Sequence, residues 1–332
     1  MDHKLRSVIV HLTNACSNKC PYCYAYKEGA IEHAKKETIL RIIDELYNAK
    51  VKSVTFLGGD PLLHPNIYSF IKYAYEKGLQ ISIMSNSMNF NKSLFDEIAQ
   101  MISTFETTIH GYDANTHDNM CRNFGAYQQL VSNLKHIASI NGTIGIAINI
   151  IPTNADYIYN MIESLLKREG IKISYIIIQR IVQFGKACGL DDYKLNKDQA
   201  NVALEQIDRI STDLGIKITV EDPFPLCVIN EKYHKYMNPC EWGFSKAAVN
   251  IHGDLSRCGA DPRCLLGNIL KTPISDIWEN SPILQSFRNR EYLPETCRKC
   301  SKREICGGGC PLSCEANIDH GIDYLFEEYH KD

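Results

Sequence analysis

The stretch NACSNKCPYCYA, residues 14–25, places three cysteines directly behind the apolar run at residues 8–10. Cys16, Cys20 and Cys23 are separated by three and then by two residues. Three thiolates can hold three irons of a [4Fe–4S] cluster and leave the fourth iron open to another ligand. A zinc site completed by a distant ligand, or buried cysteines that bind nothing, are the alternatives that the spacing leaves open.

The composition describes a chain long enough for a large α/β domain and a smaller second one. It has 332 residues and a net charge of −3, which argues against a duplex nucleic acid or an anionic membrane surface as the main partner. No apolar run reaches membrane-spanning length and no signal peptide is evident, so we expect a cytoplasmic protein that binds neither membrane nor nucleic acid. Its 14 cysteines, most of them in two tight groups, predict metal binding in such a compartment.

Strand-like and helix-like segments alternate along residues 7–220. Such alternation is typical of βαβ units and a parallel sheet, and about six units fit into this part of the chain. We therefore predict the α/β class, with a partial (β/α)6 TIM-like barrel over residues 1–220; a flat doubly wound sheet is the alternative. From EDPFPLC, residues 221–227, onward, cysteine, glycine and proline increase and the helical periodicity weakens. Residues 221–332 are predicted to form a loop-rich domain that is stabilised by metal bound to its cysteines.

The three-cysteine loop follows the first predicted strand, and functional groups of parallel α/β folds lie at the carboxyl ends of the strands. In that position, C-x3-C-x2-C with the aromatic Tyr22 resembles the signature of the radical S-adenosylmethionine (radical SAM) superfamily. The resemblance implies a [4Fe–4S] cluster on Cys16, Cys20 and Cys23, with S-adenosylmethionine chelated by the open iron. It also implies that Tyr22 lies beside the adenine, and that a reductant such as flavodoxin or ferredoxin triggers release of a 5′-deoxyadenosyl radical.

The segment LGGDPLLHP, residues 57–65, follows the second predicted strand, where members of this superfamily carry a Gly-Gly-Glu-Pro-like motif. Glycines in such a segment allow a close backbone approach. By resemblance, Gly58, Gly59, Asp60 and Pro61 meet the methionyl amino group of the cofactor. Asp60 stands where glutamate is commoner, and an ordinary turn is the alternative interpretation of the glycine pair.

Four further residues match cofactor-binding positions of the same superfamily. Ser85 and Asn86 end the third predicted strand, where a polar residue near the cofactor is common. Thr108 and Arg122 match positions that contact the ribose and the carboxylate of the cofactor in related enzymes. A strand-end threonine and a solvated arginine are the alternatives for the last two.

The C-terminal cysteines form the most specific pattern in the chain. The spacing Cys240-x12-Gly253-x4-Cys258 is followed by a run of five cysteines over residues 297–314. The pattern resembles the SPASM domain, the auxiliary-cluster module of radical enzymes that modify peptides and proteins; a zinc ribbon is the physical alternative. By resemblance, two [4Fe–4S] clusters bind here. The ligands of the cluster nearer the active site are Cys240, Cys258 and Cys310. The ligands of the distal cluster are Cys297, Cys300, Cys306 and Cys314.

Seven thiolates fill only one of these two clusters and leave the nearer one with three ligands. Cys227 is the first choice for its fourth ligand and Cys264 is the competitor; an open iron that binds a substrate thiolate is a third interpretation. Cys227 is also a candidate for a free thiol that donates a hydrogen atom to a substrate radical, as in peptide epimerases of the superfamily. The resemblance thus implies three [4Fe–4S] clusters together with S-adenosylmethionine.

The family resemblance implies hydrogen-atom abstraction from a precursor peptide and a post-translational modification, with a thioether or carbon–carbon crosslink favoured. The alternatives are a peptide epimerase, a formylglycine-forming sulfatase maturase, a tetrapyrrole-modifying enzyme and, in another class, a non-enzymatic iron–sulfur electron carrier. A pure carrier has no use for an open iron, which favours an enzyme.

Two features bear on the substrate. Glu221 and Asp222, at the predicted domain junction, are candidates for a general base, and solvated linker acids are the alternative. Because Cys16 lies so close to Met1, we expect a leader peptide to bind the barrel, the C-terminal domain or a separate leader-recognition protein.

Overall fold

Within the described residues, ten strands form one sheet that follows the strand–helix alternation of the sequence. The computed structural model describes residues 3–25, 29–140, 142–181, 185–187, 189–261, 264–313 and 323–329. The strands are β1 (Ser7–His11), β2 (Ser53–Leu57), β3 (Gln80–Met84), β4 (Thr104–Thr108), β5 (Ile144–Ile150), β6 (Tyr175–Arg180), β7 (Lys217–Val220), β8 (Lys246–Val249), β9 (Asp254–Ser256) and β10 (Leu265–Asn268). Their order in the sheet is β10-β9-β8-β1-β2-β3-β4-β5-β6-β7.

The predicted α/β class with a large parallel sheet is confirmed. All pairs from β1 to β7 are parallel, and β8 pairs in parallel with β1. The short strands β9 and β10 pair antiparallel beyond β8. The strand–helix alternation of the sequence does not reveal β7 or β8, which have only four residues each. The boundary at residue 221 remains a prediction, since β8 to β10 lie beyond it and still extend the same sheet.

The helices cover the sheet because their apolar residues recur at helical spacing. In the first helix, the buried side chains are Ile39, Ile42, Ile43 and Leu46, which lie on one face. The helices are α1 (Lys36–Asn48), α2 (Ile67–Glu76), α3 (Lys92–Ile98), α4 (Ala114–Cys121), α5 (Ala126–Ser139), α6 (Ile158–Glu163), α7 (Lys197–Leu214), α8 (Ile274–Asn280), α9 (Pro282–Arg288), α10 (Glu295–Arg298), α11 (Arg303–Cys306) and α12 (Tyr324–Tyr329). None of the helices in the described part of the chain is long and apolar enough to cross a membrane.

Arg180, the last residue of β6, is fully buried and joins the sheet to two later segments. Its guanidinium donates to the Asp323 carboxylate, with 3.2 Å between Nη1 and Oδ1. It also donates to the carbonyl oxygens of Asp222 and Pro223, at 3.2 and 2.7 Å. A buried charge is tolerated only when it is paired and hydrogen-bonded. Arg180 therefore fixes the path of the chain after β7 and the position to which the C-terminal segment returns.

Replacement of Asp323 by alanine leaves Arg180 as an uncompensated buried charge. We expect Asp323→Ala to lower the free energy of unfolding by about 3–5 kcal/mol. The matched control is Glu163→Ala, which breaks the exposed Lys167–Glu163 ion pair of 2.8 Å and is expected to cost less than about 1 kcal/mol. Denaturant unfolding followed by circular dichroism measures both, and equal losses in the two variants would contradict the role assigned to Arg180.

Candidate active site

Most residues predicted from the N-terminal motifs line one cavity of about 220 Å³ at the carboxyl ends of the parallel strands. The predicted residues on its wall are Cys16, Cys20, Tyr22, Cys23, Gly58, Gly59, Ser85, Asn86, Thr108, Glu221, Asp222 and Cys258. An adjoining cavity of about 460 Å³ shares Tyr24, Gly58 and Ala260 with the first, so the space continues along the three-cysteine loop.

The glycine pair after β2 packs against the backbone of the three-cysteine loop. The amide of Gly59 donates to the carbonyl of Thr13 at 2.7 Å, and the amide of Asp60 donates to the carbonyl of Ala15 at 2.6 Å. A Cβ atom on Gly58 would lie 2.5 Å from the Thr13 carbonyl oxygen, and one on Gly59 would overlap the Ala15 carbonyl. Both positions therefore require glycine so that the loop can approach. Contact of this segment with a cofactor remains a prediction.

Asp60 is a buried carboxylate that ties the loop after β2 to the loop after β3. It accepts hydrogen bonds from Ser85 Oγ at 2.8 Å and from the Leu62 amide at 3.1 Å. Burial raises the pKa of Asp60, and the hydrogen bond from Ser85 opposes that shift. From the same loop, Asn86 Nδ2 donates to Cys16 Sγ at 3.3 Å. The residues predicted to bind the cofactor thus also hold the cysteine loop in place.

Three other predicted cofactor residues have simpler surroundings. Thr108 ends β4 at the cavity wall. Pro61 is buried and opens a short 3-10 turn, Pro61–Leu63. Arg122 is exposed at the end of α4, in the left-handed conformation with φ of 50°, and does not line the cavity. The structure therefore brings Thr108 to the cavity and leaves Arg122 off the cavity wall.

The aromatic residue of the cysteine motif lies within a buried polar cluster. Tyr22 Oη is 2.8 Å from His110 Nδ1. One ligand atom from each of Cys20, His110 and Cys121 lies within 4.8 Å of the others. A hydrogen bond from Cys121 lowers the pKa of the Cys20 thiol. Stabilisation of the thiolate favours Cys20 as a metal ligand.

The first C-terminal set, Cys240, Cys258 and Cys310, is called the proximal group. Cys258 and Cys310 are buried and belong to one apolar cluster with Leu312. Cys258 also lines the 220 Å³ cavity. The cavity therefore lies between the three-cysteine loop and the proximal group.

The thiols of the proximal group lie beside a buried cation that offsets part of the effect of their burial. Burial raises the pKa of all three thiols, to about 11 for Cys240, and the buried Arg257 guanidinium opposes the shift at Cys240 and Cys258. Iron binds the thiolate, so ligation must release these protons. A buried cation stabilises the sulfur atoms once they become anionic. The residues present thus fit a cluster at this position.

The second C-terminal set, Cys297, Cys300 and Cys306, is called the distal group; Cys314 lies outside the described residues. The sequence favours Cys227 as the fourth ligand of the proximal group, an assignment that stays a prediction, and in the structure the residue before it contacts the distal group. The amide of the preceding residue, Leu226, donates to Cys306 Sγ at 3.3 Å. Cys264 instead lies near the proximal group. Its carbonyl oxygen accepts a hydrogen bond from the amide of Arg257, the residue before Cys258, at 3.1 Å.

The two acids proposed as general bases reach the cavity from the junction. Glu221 Oε1 lies 3.1 Å from Lys246 Nζ. Asp222 Oδ1 lies 3.6 Å from Cys310 Sγ. Burial, and then the charge of Glu221, raises the pKa of Asp222 to about 6. Asp222 thus lies against the proximal group, whereas Glu221 has a lysine partner.

The sequence motifs did not single out several residues of the cavity wall, among them Asn149, Gln179, Arg180 and Trp242. Asn149 Nδ2 donates to Tyr22 Oη at 3.4 Å, and Gln179 Nε2 donates to Glu221 Oε2 at 3.5 Å. The first three are polar residues near the carboxyl ends of β5 and β6, and that position is the signal that points to them. Trp242 carries no such signal.

Comparison with known families identifies two regions. Residues 10–165 match the family model described as the radical SAM superfamily. Residues 240–301 match the SPASM model, described as an iron–sulfur cluster-binding domain.

Similar proteins cover nearly the whole chain. A PqqA peptide cyclase of Xanthomonas euvesicatoria pv. vesicatoria is 24% identical over 93% of this chain and 83% of its own length. An AdoMet-dependent heme synthase of Methanosarcina barkeri is 23% identical over 99% of this chain and 96% of its own length. Among solved structures, Streptococcus suis SuiB bound to precursor peptide SuiA aligns with a TM-score of 0.78 and 14% identity, over 96% of this chain and 75% of that chain. These structural likenesses show the fold.

Gly59→Ala tests the contact between the glycine pair and the cysteine loop. The added methyl group overlaps the Ala15 carbonyl, so we expect the loop to shift and the iron bound by anaerobically reconstituted protein to fall. Gly259→Ala is the control, because a Cβ there meets its nearest neighbour, Ala248 Cβ, at an ordinary 3.5 Å. Iron assay and visible absorbance measure the effect; full iron content in Gly59→Ala would show that the loop tolerates the overlap.

Proposed function

Because this chain belongs to the radical SAM superfamily and carries a SPASM iron–sulfur cluster-binding domain, we propose that it modifies a precursor peptide by removing a hydrogen atom from one residue. The similarity to PqqA peptide cyclases, together with the SuiB-like fold, supports a peptide substrate. The product that we favour is a thioether or carbon–carbon crosslink.

One observation carries the proposal: a single cavity is bordered by the three-cysteine loop and by Cys258 of the proximal group. Crosslinking is an oxidation in which the peptide gives up a hydrogen atom, an electron and a proton. When bound, S-adenosylmethionine and three [4Fe–4S] clusters supply a 5′-deoxyadenosyl radical and an electron acceptor. The role of the protein chain itself is to hold the substrate between the three-cysteine loop and the proximal group.

A larger cavity of about 690 Å³ provides room for the peptide. It lies between β7 and β8 and shares Glu221 and Trp242 with the 220 Å³ cavity. In our proposal the peptide backbone occupies this space and one side chain reaches towards the three-cysteine loop. Glu221 stands where the two cavities meet and accepts the proton that a crosslink releases; Asp222 is the second candidate for this base.

The position of Cys227 weighs against the epimerase alternative. A thiol that returns a hydrogen atom to a substrate radical must reach the cavity, and Cys227 is not among the residues that line it. The site favours oxidation over epimerisation for this reason. The formylglycine-forming alternative is also an oxidation, so the identity of the product distinguishes it from crosslinking.

Tetrapyrrole modification is the second candidate function. The similarity to an AdoMet-dependent heme synthase over nearly the full length of both proteins favours it. In either case a low-potential reductant such as flavodoxin or ferredoxin is needed, in keeping with the predicted cytoplasmic location. A separate leader-recognition protein remains a proposed partner of the peptide reaction.

Anaerobic incubation with S-adenosylmethionine and dithionite tests the proposal. We expect 5′-deoxyadenosine to form, and to form faster when a peptide encoded beside this gene is added. Mass spectrometry should show that the peptide has lost two hydrogens. Stimulation by a haem precursor and not by any peptide would favour the second candidate.

A pair of variants controls this assay. Cys20→Ala removes a thiol of the three-cysteine loop and is expected to abolish 5′-deoxyadenosine formation, whereas Cys264→Ala should retain it. Wild-type protein that holds iron and yields no 5′-deoxyadenosine under any of these conditions would contradict an enzymatic role.

A further inference from the structure

We infer that Cys227 is the fourth cysteine ligand of the distal iron–sulfur cluster, alongside Cys297, Cys300 and Cys306. The family resemblance gives that position to Cys314 and leaves Cys227 for the proximal group or for a free thiol. The inference rests on the proposed function in one respect only, namely that the C-terminal region holds iron–sulfur clusters.

A tight turn presents Cys227 towards the distal group. The Val228 amide donates to the Pro225 carbonyl at 3.1 Å, which closes a four-residue turn with Cys227 at its third position. Within this turn, the Leu226 amide donates to Cys306 Sγ at 3.3 Å, and the Leu226 carbonyl lies 2.9 Å from His234 Nε2. The turn is therefore held on both sides and is anchored on a sulfur atom of the distal group.

The glycine run after Cys306 is shaped for this approach. Gly307, Gly308 and Gly309 have φ of 61°, 79° and 86°, a region that favours glycine. A Cβ atom on Gly309 would lie 2.9 Å from Cδ of Pro225, the first residue of the turn. The three glycines therefore allow the turn that begins at Pro225 to pack closely against the segment that follows Cys306.

The thiols that interact electrostatically with Cys227 are those of the distal group, Cys306, Cys297 and Cys300. Short backbone turns connect these three residues: the Cys300 amide donates to the Cys297 carbonyl at 3.2 Å, and the Cys306 amide donates to the Lys302 carbonyl at 2.9 Å. Together with Cys227 they provide four thiols, the number that a [4Fe–4S] cluster takes.

The assignment changes the interpretation of the other cluster. With Cys227 on the distal group, Cys264 is the remaining candidate for a fourth cysteine ligand of the proximal group that borders the cavity. Asp222, whose carboxylate oxygen lies 3.6 Å from Cys310 Sγ, is an acid in contact with that group.

Alkylation of the iron-loaded protein tests the inference directly, because the Cys227 side chain is exposed and reacts if it is free. The full chain is treated anaerobically with N-ethylmaleimide before and after iron is removed with a chelator, and the labelled cysteines are identified by mass spectrometry. We expect loss of labelling at Cys227 in the loaded protein and its return after chelation. Cys300, also exposed and a predicted ligand, is the internal reference.

Labelling of Cys227 in the loaded protein while Cys300 stays protected would overturn the inference and leave the proposed function intact. Labelling of both in protein that holds iron would overturn it as well. Failure of the chain to bind iron at all would instead contradict the proposed function.

A second measurement compares two variants by iron content and electron paramagnetic resonance. Cys227→Ala is expected to lose about four irons per chain or to show a three-iron signal, while Cys314→Ala keeps the wild-type spectrum. Circular dichroism confirms that both variants fold. Wild-type iron content and spectrum in Cys227→Ala, or a loss in Cys314→Ala as large as that in Cys227→Ala, would overturn the inference.

Discussion

The architecture depends on one buried cation. Arg180 ends β6 with its side chain fully buried, and its guanidinium binds Asp323 and the carbonyl oxygens of Asp222 and Pro223. Because an unpaired guanidinium in the interior is strongly unfavourable, the junction after β7 and the segment before α12 must both pass this point. The Arg180 amide also donates to Asp222 Oδ2 at 3.2 Å, so the same residue orients the carboxylate that contacts Cys310.

This constraint explains how thiols from distant parts of the chain border one cavity. The segment of the glycine pair after β2 holds the three-cysteine loop through backbone hydrogen bonds, and Asn86 holds it through a hydrogen bond to Cys16. The proximal group is brought to the opposite wall by β8, which pairs with β1, and by Arg180, which fixes the junction. The fold therefore supplies two walls that carry cysteines and a space between them, which is the arrangement that the proposed oxidative modification requires.

Much of this was accessible from the sequence, because the deciding signals are local. The alternation of strands and helices predicts the parallel sheet, and the spacing of Cys16, Cys20 and Cys23 after the first strand predicts the site. The contacts that the sequence could not predict are long-range and use ordinary residues. Nothing near Arg180 points to Asp323, which lies 143 residues away, and the four-residue strand β8 gives no hint that it pairs with β1. Cys227 and Cys240 are close in sequence, yet the turn at Pro225 separates their environments.

The most direct test of this account is the number and type of iron atoms in anaerobically reconstituted wild-type protein, measured by chemical assay and Mössbauer spectroscopy. The three-cysteine loop, the proximal group and the distal group together predict three [4Fe–4S] clusters, or about twelve irons per chain. About four irons per chain, all in the three-cysteine loop, would contradict the account, since the cavity would then have a metal site on one side only.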